Sequence, residues 1–348
     1  MRRVLQAMAG ARHGGAETFF VRLVGALHRA GESQRVLIRR NAARARALRD
    51  AGISVCELAF GGPLDIATRL AFRREIAASR PDIVLTWMSR ATRLCPRGDF
   101  VHVGRLGGYY DLKSYGGCDH LIGNTRAIVD YIVAQGWPGE RACYLPNFVP
   151  EPPRDTRPVT RPALGLPENG LMALALGRLH PNKGFDLLLD AIAAVPEMAL
   201  CIAGEGPLRL ILQRQAARLG LGGRVRFLGW RDDVPALLAS ADLVVCPSRH
   251  EPLGNVIIEA WAAWRPVAAF ASDGPASLIR NEVSGLLVPL PDEPGGGVDA
   301  LAAVLNRLAA DGELRARLGR GGREAYEAEF TEAAVVARYR GFFDQIAR

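Results

Sequence analysis

Two glutamates, Glu251 and Glu259, are separated by seven residues in the segment Ser248-Arg249-His250-Glu251-Pro252-Leu253-Gly254-Asn255-Val256-Ile257-Ile258-Glu259. Glu251 precedes a helix-like run and Glu259 sits about one turn inside it. An ionised carboxylate accepts two hydrogen bonds and matches a vicinal diol. Leu253, Gly254 and Asn255 fall where the helix opens, so their backbone N–H groups have no partner within it. The array could set Glu251 against sugar hydroxyls, the N–H groups against a phosphate and Glu259 against a ribose. Acidic residues near a helix start are also favoured by the helix dipole, so the spacing alone equally describes an ordinary helix.

Three other turns carry chemistry of the same kind. In Gly177-Arg178-Leu179-His180-Pro181-Asn182-Lys183-Gly184, a strand-like run ends and a helix-like run begins. Lys183 is one of two lysines, with Lys113, in a chain whose other basic residues are arginines. A compact ammonium there, with the Arg178 guanidinium, suits a diphosphate whose charge grows as it leaves. Gly204-Glu205-Gly206-Pro207 is a second strand–turn–helix, open enough for a base or ribose to lie on its backbone. In His13-Gly14-Gly15-Ala16-Glu17, Gly14 and Gly15 let the backbone approach a phosphate at a helix N-terminus. It is neither the dinucleotide fingerprint nor the P-loop. A plain turn would look the same in each case. Adjacent Asp232 and Asp233 read as a helix cap rather than as metal ligands.

These turns need a scaffold that ends strands beside one another. In the first half, Arg3–Met8, Gln34–Ile38, Ile53–Leu58, Asp82–Trp87, Phe100–Val103 and His120–Ile122 read as strands, with helices over Thr18–Ala30, Ile66–Ala78 and Ala127–Ala134. Proline then crowds one segment, from Pro146 through Pro167, and reads as an extended linker. Beyond it strands (Met172–Leu176, Ala199–Ala203, Val225–Leu228, Leu243–Cys246, Val267–Phe270, Leu286–Val288) alternate again with helices. Such alternation implies α/β architecture with parallel sheets covered on both faces. The expected organisation is two doubly wound Rossmann-like domains, 1–150 and 151–330, facing a cleft, with a C-terminal helix over 331–348 packing back on the first. Ligands then belong at the carboxyl ends of the strands, where the four turns fall.

The bulk composition fits. The chain has 348 residues, 49% hydrophobic and 23% charged, the balance of a globular protein. No apolar run reaches the length of a spanning helix, and the start of the chain does not read as a signal peptide. The six cysteines form no C-x-x-C pair, which argues against a disulfide framework or zinc site and fits a reducing cytoplasm. Charge is uneven: residues 1–150 hold 22 basic and 12 acidic side chains, residues 151–348 hold 22 and 24. A basic first half suits an anionic membrane surface or phosphorylated acceptor, and equally a solvated basic face. The lack of interleaved aromatics argues against nucleic acid.

In order and context the motifs resemble the retaining family-4 glycosyltransferases of the GT-B fold, also called glycosyl transferases group 1. The similarity is most specific over 177–285, including Gly204-Glu205-Gly206-Pro207, Val225-Arg226-Phe227-Leu228-Gly229 and the Glu251–Glu259 segment. The resemblance implies a hexosyltransferase-type enzyme taking a nucleotide-sugar donor, a UDP-sugar ahead of a GDP-sugar. Arg178 and Lys183 would bind the diphosphate and Glu251 the donor sugar, the three forming the catalytic set. Gly14, Gly15, Gly204, Glu205, Leu253, Gly254, Asn255 and Glu259 would bind the donor, Glu259 at the ribose. Attack would come from the front face, with a donor phosphate oxygen helping to deprotonate the acceptor. No cofactor and no metal is expected. The acceptor would be a cell-envelope glycan or glycolipid such as lipopolysaccharide, met by a cytoplasmic protein peripheral to the inner membrane. The rival readings are a nucleotide-sugar epimerase on the same fold and a non-catalytic sugar-nucleotide-binding protein; a nicotinamide dehydrogenase lacks its fingerprint. One departure stands out: the family's usual His after a first-domain strand is replaced by Gly107-Gly108-Tyr109-Tyr110-Asp111. His102 falls inside the strand as a packed residue, leaving Tyr109 and Asp111 as acceptor-contact candidates.

Overall fold

The structure, a computed structural model, describes residues 2–12, 14–62 and 64–347; His13 of the first glycine turn lies outside them. Contacts divide the chain into two units, Met1–Phe148 with Glu332–Arg348, and Val149–Thr331.

The first unit begins β1 (Arg3–Met8), α1 (Gly15–Arg29), β2 (Ser33–Arg39), α2 (Ala42–Asp50), β3 (Ser54–Leu58) and α3 (Ile66–Ser79). It continues β4 (Ile83–Trp87), α4 (Met88–Leu94), β5 (Val101–Leu106), β6 (His120–Gly123), α5 (Arg126–Ala134) and β7 (Ala142–Tyr144). The second unit runs β8 (Leu171–Leu176), α6 (Phe185–Ala193), β9 (Met198–Ala203), α7 (Arg209–Arg218), β10 (Val225–Gly229), α8 (Val234–Ser240) and β11 (Leu243–Cys246). It ends with α9 (Asn255–Ala262), β12 (Val267–Phe270), α10 (Asp273–Leu278), β13 (Leu286–Val288), α11 (Val298–Ala310) and α12 (Gly312–Glu329). The last helix, α13 (Glu332–Ile346), returns to the first unit.

Each unit holds one sheet whose pairings are all parallel, ordered β3-β2-β1-β4-β5-β6-β7 in the first and β10-β9-β8-β11-β12-β13 in the second. A parallel sheet must be covered on both faces, which is why β8, β9, β11 and β12 of the second sheet are apolar throughout. In β8, Ala173 and Ala175 pack with Leu188 of α6 and Leu305 of α11, while Met172 and Leu174 pack with Ile257 and Trp261 of α9. Strand order reverses direction between β1 and β4 and between β8 and β11. Those are the points where crossovers leave to opposite sides and a crevice opens at the strand ends. Among the described residues, no helix is long and apolar enough to cross a membrane.

Several elements depart from the sequence expectations. The first turn is shorter than read: α1 starts at Gly15, so Ala16 and Glu17 are helical. Helices α2, α4 and α10 and strand β7 had no clear sequence signal. In α2 the hydrophobic stripe is only Ala45 and Leu48, among three arginines. Asp233 occupies the cap position of α8, but its carboxylate makes no cap hydrogen bond. It takes both nitrogens of Arg231 instead, at 2.6 and 2.7 Å.

Candidate active site

The carboxyl edge of the second sheet is knitted from the loops that follow β8, β9, β11 and β12. Gly204 N–H donates to the Gly229 carbonyl at 2.8 Å, Leu179 N–H to Glu205 at 3.0 Å, His250 N–H to Asn182 at 3.2 Å and Gly274 N–H to Glu251 at 2.7 Å. Two glycines allow this closeness. Gly184 has φ +62°, and a Cβ there would stand 1.9 Å from the Pro247 carbonyl oxygen. At Gly204 a Cβ would stand 1.9 Å from the Gly177 carbonyl oxygen. The loops after β8 and β11 therefore touch backbone to backbone, across the switch point of the sheet.

This contact brings Lys183 and Glu251 together. The Lys183 ammonium donates to Glu251 Oε2, and both side chains are mostly withdrawn from solvent, at 28% and 12% exposure. Glu251 Oε1 accepts the Gly254 N–H at 3.3 Å, and Ser248 Oγ lies 3.5 Å from Oε2. The carboxylate thus points back to the N-terminus of α9, where Gly254 takes a left-handed φ of 86°. Leu253 is buried, Asn255 is half-buried, and Glu259 is half-buried one turn inside α9. Below them Cys246 closes β11, its thiol pushed up to about 11 by burial and by the Glu251 charge, with Lys183 pulling the other way.

The remaining candidates are placed as follows. Arg178 is exposed on the same loop as Lys183, and no ion pair among the described residues holds it. Glu205 is exposed and bound to Arg209 of α7. Gly14 and Gly15 are exposed at the start of α1 in the first unit. There the helix N-terminus already carries an anion. Glu17 is buried, accepts the Ala11 N–H at 2.6 Å, and lies where a Cβ on Gly14 would fall. Among the described residues, no three His, Cys, Asp or Glu side chains gather as a metal site requires.

His102 lies in β5 and is buried, with Nε2 3.0 Å from Thr86 Oγ1 and Nδ1 3.2 Å from the Gly117 carbonyl. Burial holds its imidazole below the usual range, against the Gly117 hydrogen bond and the Asp119 charge. Asp111 caps a short turn through the Lys113 N–H at 2.9 Å. The Tyr109 ring packs edge-on against Tyr131 at 5.3 Å.

Two ionic features escaped sequence reasoning. Arg249 grips Asp186 of α6 with two bonds of 2.6 and 2.7 Å, fixing the loop that carries Glu251 to the helix that follows Lys183. Arg105, at 3% exposure, lies 4.3 Å from the Trp87 ring centroid and 4.9 Å from that of Phe19. Its nitrogens donate to Asn147 Oδ1 at 2.5 Å and to the Tyr339 hydroxyl of α13 at 3.0 Å. The partners lie 63 and 234 positions away in sequence, so no local pattern signals either.

Residues 156–325 match the family model described as glycosyl transferases group 1. Over 333 residues, 94% of this chain and 95% of the relative, the sequence is 35% identical to the lipopolysaccharide core biosynthesis glycosyltransferase LpsE of Rhizobium meliloti (strain 1021). The chain belongs to the group 1 glycosyltransferases. A second relative from that organism, the lipopolysaccharide core biosynthesis glycosyltransferase LpsD, is 34% identical over 95% of both chains. In fold, this glycosyltransferase is similar to Anabaena Alr3699/HepE, solved in complex with UDP and glucose: TM-score 0.82 at 23% identity, covering 99% of this chain and 100% of that one. The two doubly wound units are those of the GT-B fold. The transferase carries its Lys183–Glu251 contact at the switch point of the unit that the family model covers.

Proposed function

We propose that this enzyme is a retaining transferase that moves a sugar from a UDP-sugar to a lipopolysaccharide-core or related glycolipid acceptor at the inner face of the cytoplasmic membrane. The observation that carries the reading is the Lys183–Glu251 pair at the switch point of the second sheet. A diphosphate arriving there competes with Glu251 for the ammonium. Once Lys183 turns to the phosphates, the carboxylate is released to accept hydrogen bonds from the sugar hydroxyls. The same exchange therefore loads the cation and frees the sugar-binding group. Arg178, exposed on that loop, adds a second positive charge to the phosphates.

In the reaction, the acceptor oxygen forms its bond to the anomeric carbon as the bond to the diphosphate oxygen breaks. The acceptor proton passes to a phosphate oxygen on the same face, and the anomeric configuration is kept. The leaving diphosphate gains charge, which Lys183 and Arg178 balance. Glu259, one turn inside α9, takes the ribose. The lipopolysaccharide acceptor is supported by the two core-biosynthesis relatives, and the UDP donor by the UDP-bound structural neighbour.

The test is a thermal-shift series with UDP-, GDP- and ADP-sugars, since a ligand that binds only the folded state raises its Tm. Turnover with a core oligosaccharide follows, reading the product anomer by NMR. A shift with UDP-sugars and a retained anomer support the proposal. An inverted anomer, or conversion of the donor with no acceptor present, overturns it.

A further inference from the structure

We propose that the loop before α3 and the outer face of α3 form a docking surface for an anionic lipid bilayer. Three large apolar side chains project here within seven positions: Leu64 is 91% exposed, Ile66 66% and Leu70 47%. They are not an accident of a poorly packed helix. The opposite side of α3 is anchored by buried Phe72 and Thr68, and the Asp65 carboxylate holds the start of the helix through the Thr68 N–H at 2.9 Å and the Gly61 N–H at 2.7 Å. Ile66, Arg69, Leu70 and Arg73 follow the helical spacing i, i+3, i+4, i+7, so apolar and cationic groups share one outward stripe.

Beside that stripe, Arg69, Arg90 and Arg93 converge on a pocket of about 190 Å³ floored by Gly61 and Gly62. No carboxylate lines it, and no ion pair among the described residues neutralises the three guanidinium groups. Arg93 also lines a second pocket, of about 590 Å³, with Arg97, Lys113 and one carboxylate, Asp119, which accepts the His102 N–H at 2.8 Å. Acidic residues nearby are otherwise engaged: Asp65 caps α3, Glu75 pairs with Arg35 and Asp82 with Arg3. The face is therefore an uncompensated cation cluster flanked by protruding aliphatic groups. On such a face the aliphatic groups can enter below the headgroups of a bilayer while the guanidinium groups stay at the phosphates. A peptide or protein partner of matching charge would leave the Leu64–Ile66 projection needing a pocket; a bilayer accepts it without one.

Position ties the surface to the chemistry, and here the inference rests on the membrane-borne acceptor proposed above. The loop after β3, which supplies Gly61 and Gly62, and the start of α4, which follows β4 directly and supplies Arg90, lie at the carboxyl edge of the first sheet, as does the Gly14–Gly15 loop after β1. Docking by this face turns that edge toward the lipid.

The experiment is sedimentation of the full chain with vesicles of phosphatidylglycerol and phosphatidylcholine, against phosphatidylcholine alone, at low salt. Two double variants are compared, Leu64→Ser/Ile66→Ser and Arg69→Ala/Arg93→Ala. The full chain is expected to bind the anionic vesicles and not the neutral ones. Removing two arginines should weaken binding on the order of thirtyfold, and the apolar pair on the order of tenfold. The UDP-induced rise in Tm, measured without vesicles, should persist in both variants and reports that they are folded. No binding by the full chain overturns the proposal, as does binding unchanged in both variants. So does a full chain that self-associates and loses that association on the apolar substitution, which would make the face a protein interface. A UDP response without vesicle binding removes only this inference; vesicle binding without a UDP response removes only the donor reading.

Discussion

At the scale of single residues, the decisive group is Lys183. Its ammonium is held by Glu251, and in the proposed reaction a diphosphate competes for it, so its removal has two consequences. The leaving group loses a cation, and Glu251 loses the partner that positions it. Lys183→Ala should lower kcat by roughly a hundredfold or more, in the range seen when one charge-stabilising donor is lost, with a smaller change in KM. Lys183→Arg should restore only part of it, because a planar guanidinium does not replace a compact ammonium between two backbone loops. Steady-state kinetics of the two variants decide this; unchanged kcat in the alanine variant sinks the assignment. Gly184 is the backbone counterpart. With φ +62° and no space beside the Pro247 carbonyl, Gly184→Ala strains the turn and pushes the loops after β8 and β11 apart. The expected cost is about 2 kcal/mol or more in urea unfolding, together with loss of the UDP-induced shift. A variant as stable as the parent would show that the loops separate freely.

At the scale of elements, the sequence is most transparent where burial is most uniform. Strands β8, β9, β11 and β12 are apolar on both faces and stand out as continuous runs, and α1, α6 and α9 carry full hydrophobic stripes. The four glycine turns follow strands in both readings, because a turn at a strand end needs small residues whatever it binds. By contrast α2 buries only a narrow stripe among its arginines, and β7 is a three-residue edge strand, so neither holds enough apolar residues to show a period. The site itself was legible as residue types and spacing. That Glu251 reaches Lys183, or that Arg249 reaches Asp186, was not, because sheet order rather than chain order makes those loops neighbours. His102 belongs to this scale too. It is a β5 residue bound to Thr86 of β4 and kept neutral by burial, against the Gly117 hydrogen bond and the Asp119 charge. With its folded pKa below the unfolded one, a falling pH protonates the unfolded chain first. Stability is therefore complete above the ordinary imidazole value near 6.5, declines as pH drops through it, and levels off below the folded value. Urea midpoints from pH 8 to about 5 should show this step, and His102→Gln should flatten it while keeping a polar partner for Thr86. An unaltered step in the variant would place the titration elsewhere.

At the scale of the molecule, the last helix decides whether the first unit is complete. The chain leaves that unit after Phe148 and returns at Glu332. Helix α13 then buries Val335, Tyr339, Phe342, Phe343 and Ile346 with residues of β1, β5 and α1. Its Tyr339 hydroxyl accepts from Arg105, the buried cation that also lies over Trp87 and Phe19. Removal of α13 exposes an apolar face and leaves that guanidinium without one of its two side-chain oxygen partners. Each buried side chain of this size contributes about 1.5–3 kcal/mol, so five together match the whole stability of an ordinary domain. The second unit draws none of its core from α13. A chain ending at Thr331 should therefore lose the first unit selectively. Limited proteolysis read by mass spectrometry should degrade residues before Phe148 and leave a protected fragment beginning near Val149. Tyr339→Phe in the full chain isolates the polar part. It keeps the ring and removes only the acceptor of a charged donor, so urea unfolding should register a loss of about 1.5–3 kcal/mol. If the truncated chain resists protease as the full one does, the first unit stands without α13 and the coupling between the ends of the chain is not structural.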